Sequence, residues 1–388
     1  MPPRGVHSRF VVDGATAPVR NSVKTDNDLD KTRVAAFLRE AYDLPVTGLE
    51  FTPKGEAGYC YLGQTDGGKR LFVKLFEAHR GEPFAFSLQV SRQLHDAGYE
   101  HALPPILTTS GEPFTTFEGY AVAVFPYVEG VSLFEDEGRP HGDEVSDEEF
   151  AGLGSLIGGL HAATARVALN DAPRERFDFH YADLLRAHLA DACDTEVVNE
   201  PVNDYQRELL ALWADGRENL RETYARFVAL QEKCRATERP FVITHGDCHL
   251  ANVLRDDRGQ YHLIDWSDAL LAPPERDLTF YTGDADRFAA FLDVYMRAYD
   301  PGALDVDVFA FYVYLWSVQE IGSYTHRILH RNPGGANPDA SKASNEQNES
   351  DLAEFKKYMP VREGDSLAPY VDAIADTLRR LGVRYVGG

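Results

Sequence analysis

The first 130 residues alternate short apolar runs with turn residues. The stretch DLDKTRVAAFLREAYDL predicts a helix, because Val34, Phe37, Leu38 and Ala41 fall on one face. Strands are predicted in GLEFTP, GYCYLGQ and RLFVKLF, and the Asp-Gly turn between the last two indicates a hairpin. A second helix in EPFAFSLQVSRQLHDAG and two more strands, the last in GYAVAVFPYV, complete a mainly β region.

After residue 130 the apolar positions take helical spacing. The segment SDEEFAGLGSLIGGLHAAT opens with Ser146 and has Glu149 three residues later, which is a capping box. Further helices are predicted in NDYQRELLALWADGRENLRETYARFVALQEKC, ALDVDVFAFYVYLWSVQEIGSYTHRILH and LAPYVDAIADTLRRLG, whereas RNPGGANPDASKASNEQNES is expected to be a flexible loop. The order predicts an α+β protein with an irregular lead-in at 1–27, a small β-rich N-lobe at 28–126 and a larger helical C-lobe at 127–388.

Composition narrows the classes of function. With 388 residues, of which 44% are hydrophobic and 11% aromatic, the chain is long enough for two cores. Its formal net charge of −23 disfavours a nucleic-acid partner, because phosphate backbones attract basic surfaces. An acidic surface mainly promotes solubility, and the alternative is that some of the acids line a cleft for a cationic substrate.

The cysteines, the first 21 residues and the apolar stretches together predict the localisation of the protein. The four cysteines form no C-x-x-C pair, the first 21 residues contain no apolar run typical of a secretory signal, and no stretch is apolar enough to span a membrane. We therefore expect a cytoplasmic protein with reduced thiols and no membrane partner. The sequence does not distinguish a monomer from a dimer.

One stretch carries the chemistry: VITHGDCHLANVLRDDRGQYHLIDWSD. Asn252 follows Asp247 by five positions, and Asp265 ends a second strand that an Asp-Asp-Arg-Gly turn joins to the first, so the hairpin brings Asn252 and Asp265 together. This spacing resembles the catalytic loop of kinases, in which a carboxylate receives the proton of the acceptor hydroxyl and oxygen ligands hold Mg²⁺. The resemblance implies Asp247 as the base and Asn252 and Asp265 as metal ligands, although each residue taken singly would more often be structural.

The longer motif is more specific. HGDCHLANVL followed by LIDW resembles the aminoglycoside phosphotransferase and choline kinase superfamily, and LAPPERDLTF is similar to a segment of spectinomycin phosphotransferases. The resemblance covers residues 30–385 and is sharpest at 241–283. It implies a two-lobed protein-kinase-like fold, with His245 and His249 bracing the loop and Asp277 anchoring a helix or loop.

Lys74 in LFVKLF stands where kinases place the lysine that binds the α- and β-phosphates. The structural alternative is an exposed lysine on an edge strand. The expected acidic partner of Lys74 is Glu82 at the start of the following helix, with Glu77 as the second choice.

The remaining nucleotide contacts are predicted from position along the chain. PKGEAGYCY contains only Gly55 and Gly58, but it lies between the first two strands, where backbone amides would cover the phosphates. The connector VFPYVEG would contact adenine through backbone groups of Phe125 and Tyr127. Apolar residues there would equally suit a junction between lobes.

The sequence thus predicts phosphorylation of a hydroxyl on a small cationic molecule, with ATP and Mg²⁺ as cofactors and GTP as an alternative to ATP. An aminocyclitol or aminoglycoside antibiotic such as spectinomycin is the expected acceptor, which implies antibiotic resistance. Asp268 and Glu320 are the candidate substrate carboxylates, and a salt bridge to Arg327 is the alternative for Glu320. The rival functions are a metabolic kinase for choline, a sugar or an amino alcohol, and a nucleotide-binding pseudokinase.

Overall fold

The computed structural model describes residues 26–27, 29–53, 58–77, 81–134, 145–168, 172–190, 201–331, 338–359 and 367–388. The α-helices are α1 (Lys31–Tyr42), α2 (Gly81–Asp96), α3 (Asp147–Ala163), α4 (Ala182–Leu189), α5 (Asp204–Ala236), α6 (Glu275–Leu278), α7 (Ala285–Ala298), α8 (Val306–His326), α9 (Pro338–Tyr358) and α10 (Ala368–Leu381). The strands are β1 (Val46–Thr52), β2 (Tyr59–Thr65), β3 (Arg70–Glu77), β4 (Thr115–Phe117), β5 (Tyr120–Pro126), β6 (Gly130–Ser132), β7 (Val242–Thr244), β8 (Val253–Asp256), β9 (Tyr261–Leu263), β10 (Leu270–Ala272), β11 (Leu304–Asp305) and β12 (Tyr385–Val386).

The described chain forms two compact units. One contains residues 26–174 and 240–301, and the other contains residues 175–239 and 302–388. The lobe boundaries predicted at residues 27 and 126 remain predictions. We call the unit of residues 26–174 and 240–301 the sheet unit, and we call the unit of residues 175–239 and 302–388 the helical unit.

An antiparallel sheet of five strands in the order β1-β2-β3-β5-β4 dominates the sheet unit. The predicted Asp-Gly hairpin is confirmed: Gly68 donates its N–H to the carbonyl of Thr65 at 3.0 Å, and Thr65 faces Lys69 across the turn. This turn fixes the register of β2 on β3, in which Cys60 lies opposite Lys74.

Alternation along β3 decides which side chains face which layer. Leu71, Val73 and Leu75 are buried in a core shared with α1. Phe76 packs instead with Leu88 of α2 on the other face. Lys74, two residues before Phe76, therefore points to the same face as Phe76, and β3 is a central strand. The edge-strand alternative for Lys74 is wrong.

A second sheet carries the motif. Its three strands lie in the order β6-β8-β9, and the turn at Asp256–Gly259 joins β8 to β9 as predicted. Beyond the paired residues Val253 and Leu263, Ile264 donates its N–H to the carbonyl of Asn252 at 3.1 Å. The hairpin thus brings Asn252 beside the residue that precedes Asp265.

Helix termini follow their sequence signals. Asp30 caps α1 by accepting from the N–H of Thr32 at 2.8 Å. Ser146 and Glu149 form the predicted capping box at α3. Both caps satisfy amide groups that the first turn of a helix leaves without a partner.

The helical unit consists of α4, α5 and α8–α10 together with the short parallel pair of β11 and β12. Trp213 of α5 is buried and donates its indole N–H to Thr325 of α8 at 3.0 Å. Although α8 is largely apolar, none of the helices described is both long enough and apolar enough to cross a membrane.

The predicted loop at 331–350 is wrong from residue 338 onward, where α9 begins. Residues 332–337 lie outside the described part of the chain. The polar first half of α9 gave no helical signal, but Leu352 and Phe355 in its second half are buried, and Asp351 forms an ion pair with Arg327. Tertiary contacts at one end of α9 therefore stabilise a helical segment whose own composition does not favour a helix.

Candidate active site

The loop after β7 places the carboxylate of Asp247 next to Asn252. The side-chain amide of Asn252 donates to the Asp247 carbonyl at 2.7 Å and to the Asp247 carboxylate at 3.0 Å. A ring nitrogen of His249 lies 3.5 Å from the other carboxylate oxygen. Only 6% of Asp247 is exposed. The contacts with Asn252 and His249, both within five residues along the chain, hold its carboxylate in place.

His245 braces this loop from below. Its Nδ1 accepts from the N–H of Asp247 at 3.3 Å, and its Nε2 lies 2.9 Å from the carbonyl of Ile264. A carbonyl only accepts, so these two bonds together require the proton on Nε2. The ring is fully buried, and its bracing role agrees with the prediction.

Asp277 anchors the same loop, as expected from the sequence. One of its oxygens accepts from the N–H of Gly246 at 2.7 Å, and the other accepts from the N–H of His245 at 2.8 Å and lies 3.2 Å from His161. Burial alone would raise the pKa of Asp277, but the hydrogen bond and charge of His161 and the charge of Arg276 lower it overall. A buried carboxylate thus holds two consecutive amides of the loop.

Sequence reasoning missed His161. It lies on α3, is fully buried, and approaches the hydroxyl of Tyr295 at 2.8 Å with its second ring nitrogen. A single histidine in the apolar run GSLIGGLHAA was the available signal, because a buried polar ring requires partners.

Lys74 and Asp265 form an ion pair with Nζ to Oδ1 at 3.1 Å. The Lys74 side chain is 15% exposed and that of Asp265 is 44% exposed. The charge of Lys74 is the main cause that lowers the pKa of Asp265, and a hydrogen bond from Ser267 contributes. Asp265 also has φ of 60° and ψ of 68°, a left-handed conformation that is uncommon for residues other than glycine and concentrates at functional sites.

Asp268 lies at a pocket of about 420 Å³ in the sheet unit. Arg276 donates to the main-chain carbonyl of Asp268 at 2.9 Å, which fixes the backbone of this exposed residue. The pocket is lined by Phe86, Pro173, Ser267, Asp268, Leu270 and Arg276.

The predicted nucleotide contacts are only partly described. Gly55 lies outside the described residues. Glu82 lies in the first turn of α2, and Glu77 ends β3, but the side chains of both lie outside the described part of the structure. Gly58 lies against β3, where an added Cβ would come within 2.2 Å of the Leu75 carbonyl. The glycine is therefore required for packing, whatever else it contacts.

The connector after β5 begins as an extension of the sheet. Phe125 is paired with Phe72 of β3. The N–H of Tyr127 donates to the carbonyl of Arg70 at 3.4 Å, and the Arg70 guanidinium stacks on the Tyr127 ring at 3.8 Å. The predicted connector residues are thus held by the first residue of the strand that carries Lys74.

Glu320 belongs to the helical unit, where it is half-buried on α8. It contributes to raising the pKa of Tyr324, after the larger effect of burial, by its charge and by a side-chain hydrogen bond. Arg327, its alternative partner, binds Asp351.

The comparisons with known proteins establish the family of this chain. The model of the phosphotransferase enzyme family (APH) matches residues 53–310, and the chain belongs to that family. The expectation of a phosphotransferase acting on hydroxyl groups is thereby confirmed. Protein StrN of Streptomyces griseus is 30% identical over 302 residues, which cover 77% of this chain and 85% of that protein.

Solved structures confirm the kinase-like α+β fold. A spectinomycin phosphotransferase in complex with ADP and spectinomycin superposes with a TM-score of 0.67 at 17% identity, over 90% of this chain and 99% of that one. An aminoglycoside phosphotransferase from Alicyclobacillus acidocaldarius gives a TM-score of 0.56 at 14% identity, over 92% of this chain and 99% of that one. At these identities the similarity establishes the fold.

Proposed function

We propose that this phosphotransferase transfers the γ-phosphoryl group of ATP to a hydroxyl of a small cationic molecule, namely an aminocyclitol or aminoglycoside such as spectinomycin. The observation that carries the proposal is the joint placement of Asp247, Asn252, Asp265 and Lys74 within the sheet unit. Asn252 contacts Asp247, and Lys74 contacts Asp265 although 191 positions separate the last two residues. Antibiotic inactivation in the cytoplasm would be the biological consequence.

Asp247 is proposed as the base. As the acceptor oxygen forms its bond to the γ-phosphorus and the bond to the ADP oxygen breaks, the hydroxyl proton passes to the Asp247 carboxylate. The bonds from Asn252 and the buried loop fix the direction of that carboxylate. Lys74 is proposed to bind the nucleotide phosphates.

The residues present fit a Mg²⁺ ion. The amide nitrogen of Asn252 is bonded to Asp247, which directs the amide oxygen of Asn252 away from that residue. The charge of Lys74 lowers the pKa of Asp265, so this ligand is an ionised carboxylate at neutral pH. Asn252 and Asp265 would hold the ion, together with phosphate oxygens and water, and the ion would neutralise charge on the phosphates.

The acceptor is proposed to be cationic, with one acid of each unit as a candidate partner for its amines. Asp268 is exposed and lines the pocket together with Ser267 and Arg276. Glu320 is the second proposed carboxylate, an acid within an otherwise largely buried helix. The similarity to a spectinomycin phosphotransferase supports this class of acceptor.

The test is turnover of Asp247→Asn with a panel of hydroxylated amines. We expect kcat to fall by about 100-fold or more, because a positioned base contributes at least that much. Asp257→Asn, a change on the exposed turn of the same hairpin, serves as the control. Phosphorylation of spectinomycin or an aminoglycoside supports the antibiotic acceptor, and preference for choline or a sugar would replace it by the metabolic alternative. An Asp247→Asn variant as active as Asp257→Asn would exclude Asp247 as the base.

A further inference from the structure

The connector that follows β5 continues directly into the sheet that carries the metal-ligand turn. Strand β6 pairs antiparallel with β8, with Val131 opposite Arg255 and Ser132 opposite Leu254. Leu133 extends the ladder by donating its N–H to the carbonyl of Val253 at 3.0 Å. The connector and the residue next to Asn252 thus belong to one hydrogen-bonded sheet.

The approach of β6 to β8 is unusually close at one point. A Cβ on Gly130 would come within 2.4 Å of the Arg255 carbonyl. Because backbone atoms cannot move aside as a flexible side chain can, only glycine fits there. This close contact fixes the start of β6 against the hairpin.

Ser132, the last residue of β6, connects this strand to the turn before β8 through its side chain. Its hydroxyl donates to the carbonyl of Ala251 at 3.3 Å and accepts from the N–H of Phe134 at 3.2 Å. Ala251 is the middle residue of the short 3₁₀ turn Leu250–Asn252. The hydroxyl therefore bridges the connector to the turn that orients Asn252.

The opposite end of the connector is held by the strand of Lys74. Arg70, which stacks on Tyr127, also places one guanidinium nitrogen 2.9 Å from both carboxylate oxygens of Glu129. Glu129 immediately precedes β6. A continuous set of contacts thus runs from β3 through the connector to the Asn252 turn.

We propose that Ser132 is a positioning residue for Asn252 and thereby sets the affinity of the site for its divalent cation. The inference rests on the proposed function, in that Asn252 is a metal ligand. Ser132 is proposed to act through Asn252, because its hydroxyl donates to the carbonyl of the residue before Asn252. The affinity for a metal commonly falls when a residue that orients one of its ligands is removed.

The experiment compares Ser132→Ala with the parent enzyme in two measurements. Titration with Mn²⁺ in the presence of a non-hydrolysable ATP analogue, followed by electron paramagnetic resonance, reports metal binding without turnover. We expect Mn²⁺ affinity to fall by about tenfold. In steady-state assays the Mg²⁺ concentration for half-maximal rate should rise similarly, while kcat at saturating Mg²⁺ and the KM for the acceptor stay near the parent values.

Two further variants distinguish a loss of the orientation of Asn252 from a general destabilisation of the fold. Ser132→Thr keeps a hydroxyl and should restore Mn²⁺ affinity. Thr47→Ala removes a comparable bond, from a hydroxyl on β1 to the Gln64 carbonyl at 3.1 Å, and should leave metal binding unchanged. Unaltered Mn²⁺ affinity in Ser132→Ala, or an equal loss in Thr47→Ala, would overturn the inference. Failure of the parent enzyme to bind Mn²⁺ with nucleotide would instead refute the proposed function.

Discussion

Lys74 and Asp265 depend on one another. The pKa of Asp265 is lowered chiefly by the charge of the Lys74 ammonium, which lies 3.1 Å away. Since the pKa of Asp265 is lowered on folding, the ion pair contributes stability above the ordinary pKa of an aspartate. That contribution is lost as the pH falls through the lowered pKa, so Asp265 remains ionised at neutral pH.

Replacing Lys74 by Met should therefore raise the pKa of Asp265. The main group that lowers it would be removed while burial, which raises it, would remain. Carbon-13 NMR titration of the aspartate carboxyl signals measures the shift. Lys69→Met, at an exposed lysine in the turn before β3, is the control. An Asp265 titration that is the same in both variants would show that the pair has no electrostatic coupling.

Asp277 presents two carboxylate oxygens to two backbone amides. In Asp277→Asn one of these would be replaced by an NH₂ group that cannot accept from an amide, so a buried donor would lose its partner. We expect the free energy of unfolding to decrease by about 1–3 kcal/mol, measured by urea denaturation. Asp257→Asn should leave it unchanged. Equal stability of both variants would mean that Asp277 does not anchor the loop.

The pairing of β2 with β3 depends on Gly58. A methyl group at this position would meet the Leu75 carbonyl at 2.2 Å, whereas one at Gly67, in the next turn, would meet nothing within 4 Å. Gly58→Ala should therefore destabilise the protein by about 1–3 kcal/mol, as overpacking does, and Gly67→Ala should not. Thermal unfolding of the two variants without nucleotide gives the comparison. If Gly58→Ala unfolds like the parent, a packing requirement cannot explain this glycine.

The charge of the whole molecule affects how it meets a substrate. With a net charge of −23, the protein should attract a cationic acceptor over a distance, and salt should screen that attraction. We expect the KM for an amine acceptor to rise with sodium chloride and the KM for ATP not to rise. Steady-state kinetics with an uncharged polyol acceptor provide the control.

Two variants assign that attraction to particular acids. Asp268→Asn and Glu320→Gln should each raise the KM for the amine and reduce its dependence on salt, because one carboxylate charge is removed. If both variants keep the parent KM for the amine, these two acids do not bind the acceptor.

The sequence was sufficient for features whose partners are near in the chain. The Asp-Gly turn implies the β2–β3 hairpin, the Asp256–Gly259 turn implies the β8–β9 hairpin, and Ser146 with Glu149 implies the capping box of α3. Each of these rests on backbone geometry over a few residues, which local sequence specifies.

The tertiary structure decided what distant segments contribute. The Lys74–Asp265 pair joins residues 191 positions apart, the His161–Asp277 contact spans 116, and the Ser132 bridge to Ala251 spans 119. The helix α9 likewise depends on burial of residues near its end. Periodicity shows that a side chain faces a core or a partner, but the identity of the partner follows from strand order and helix packing, which involve the whole chain.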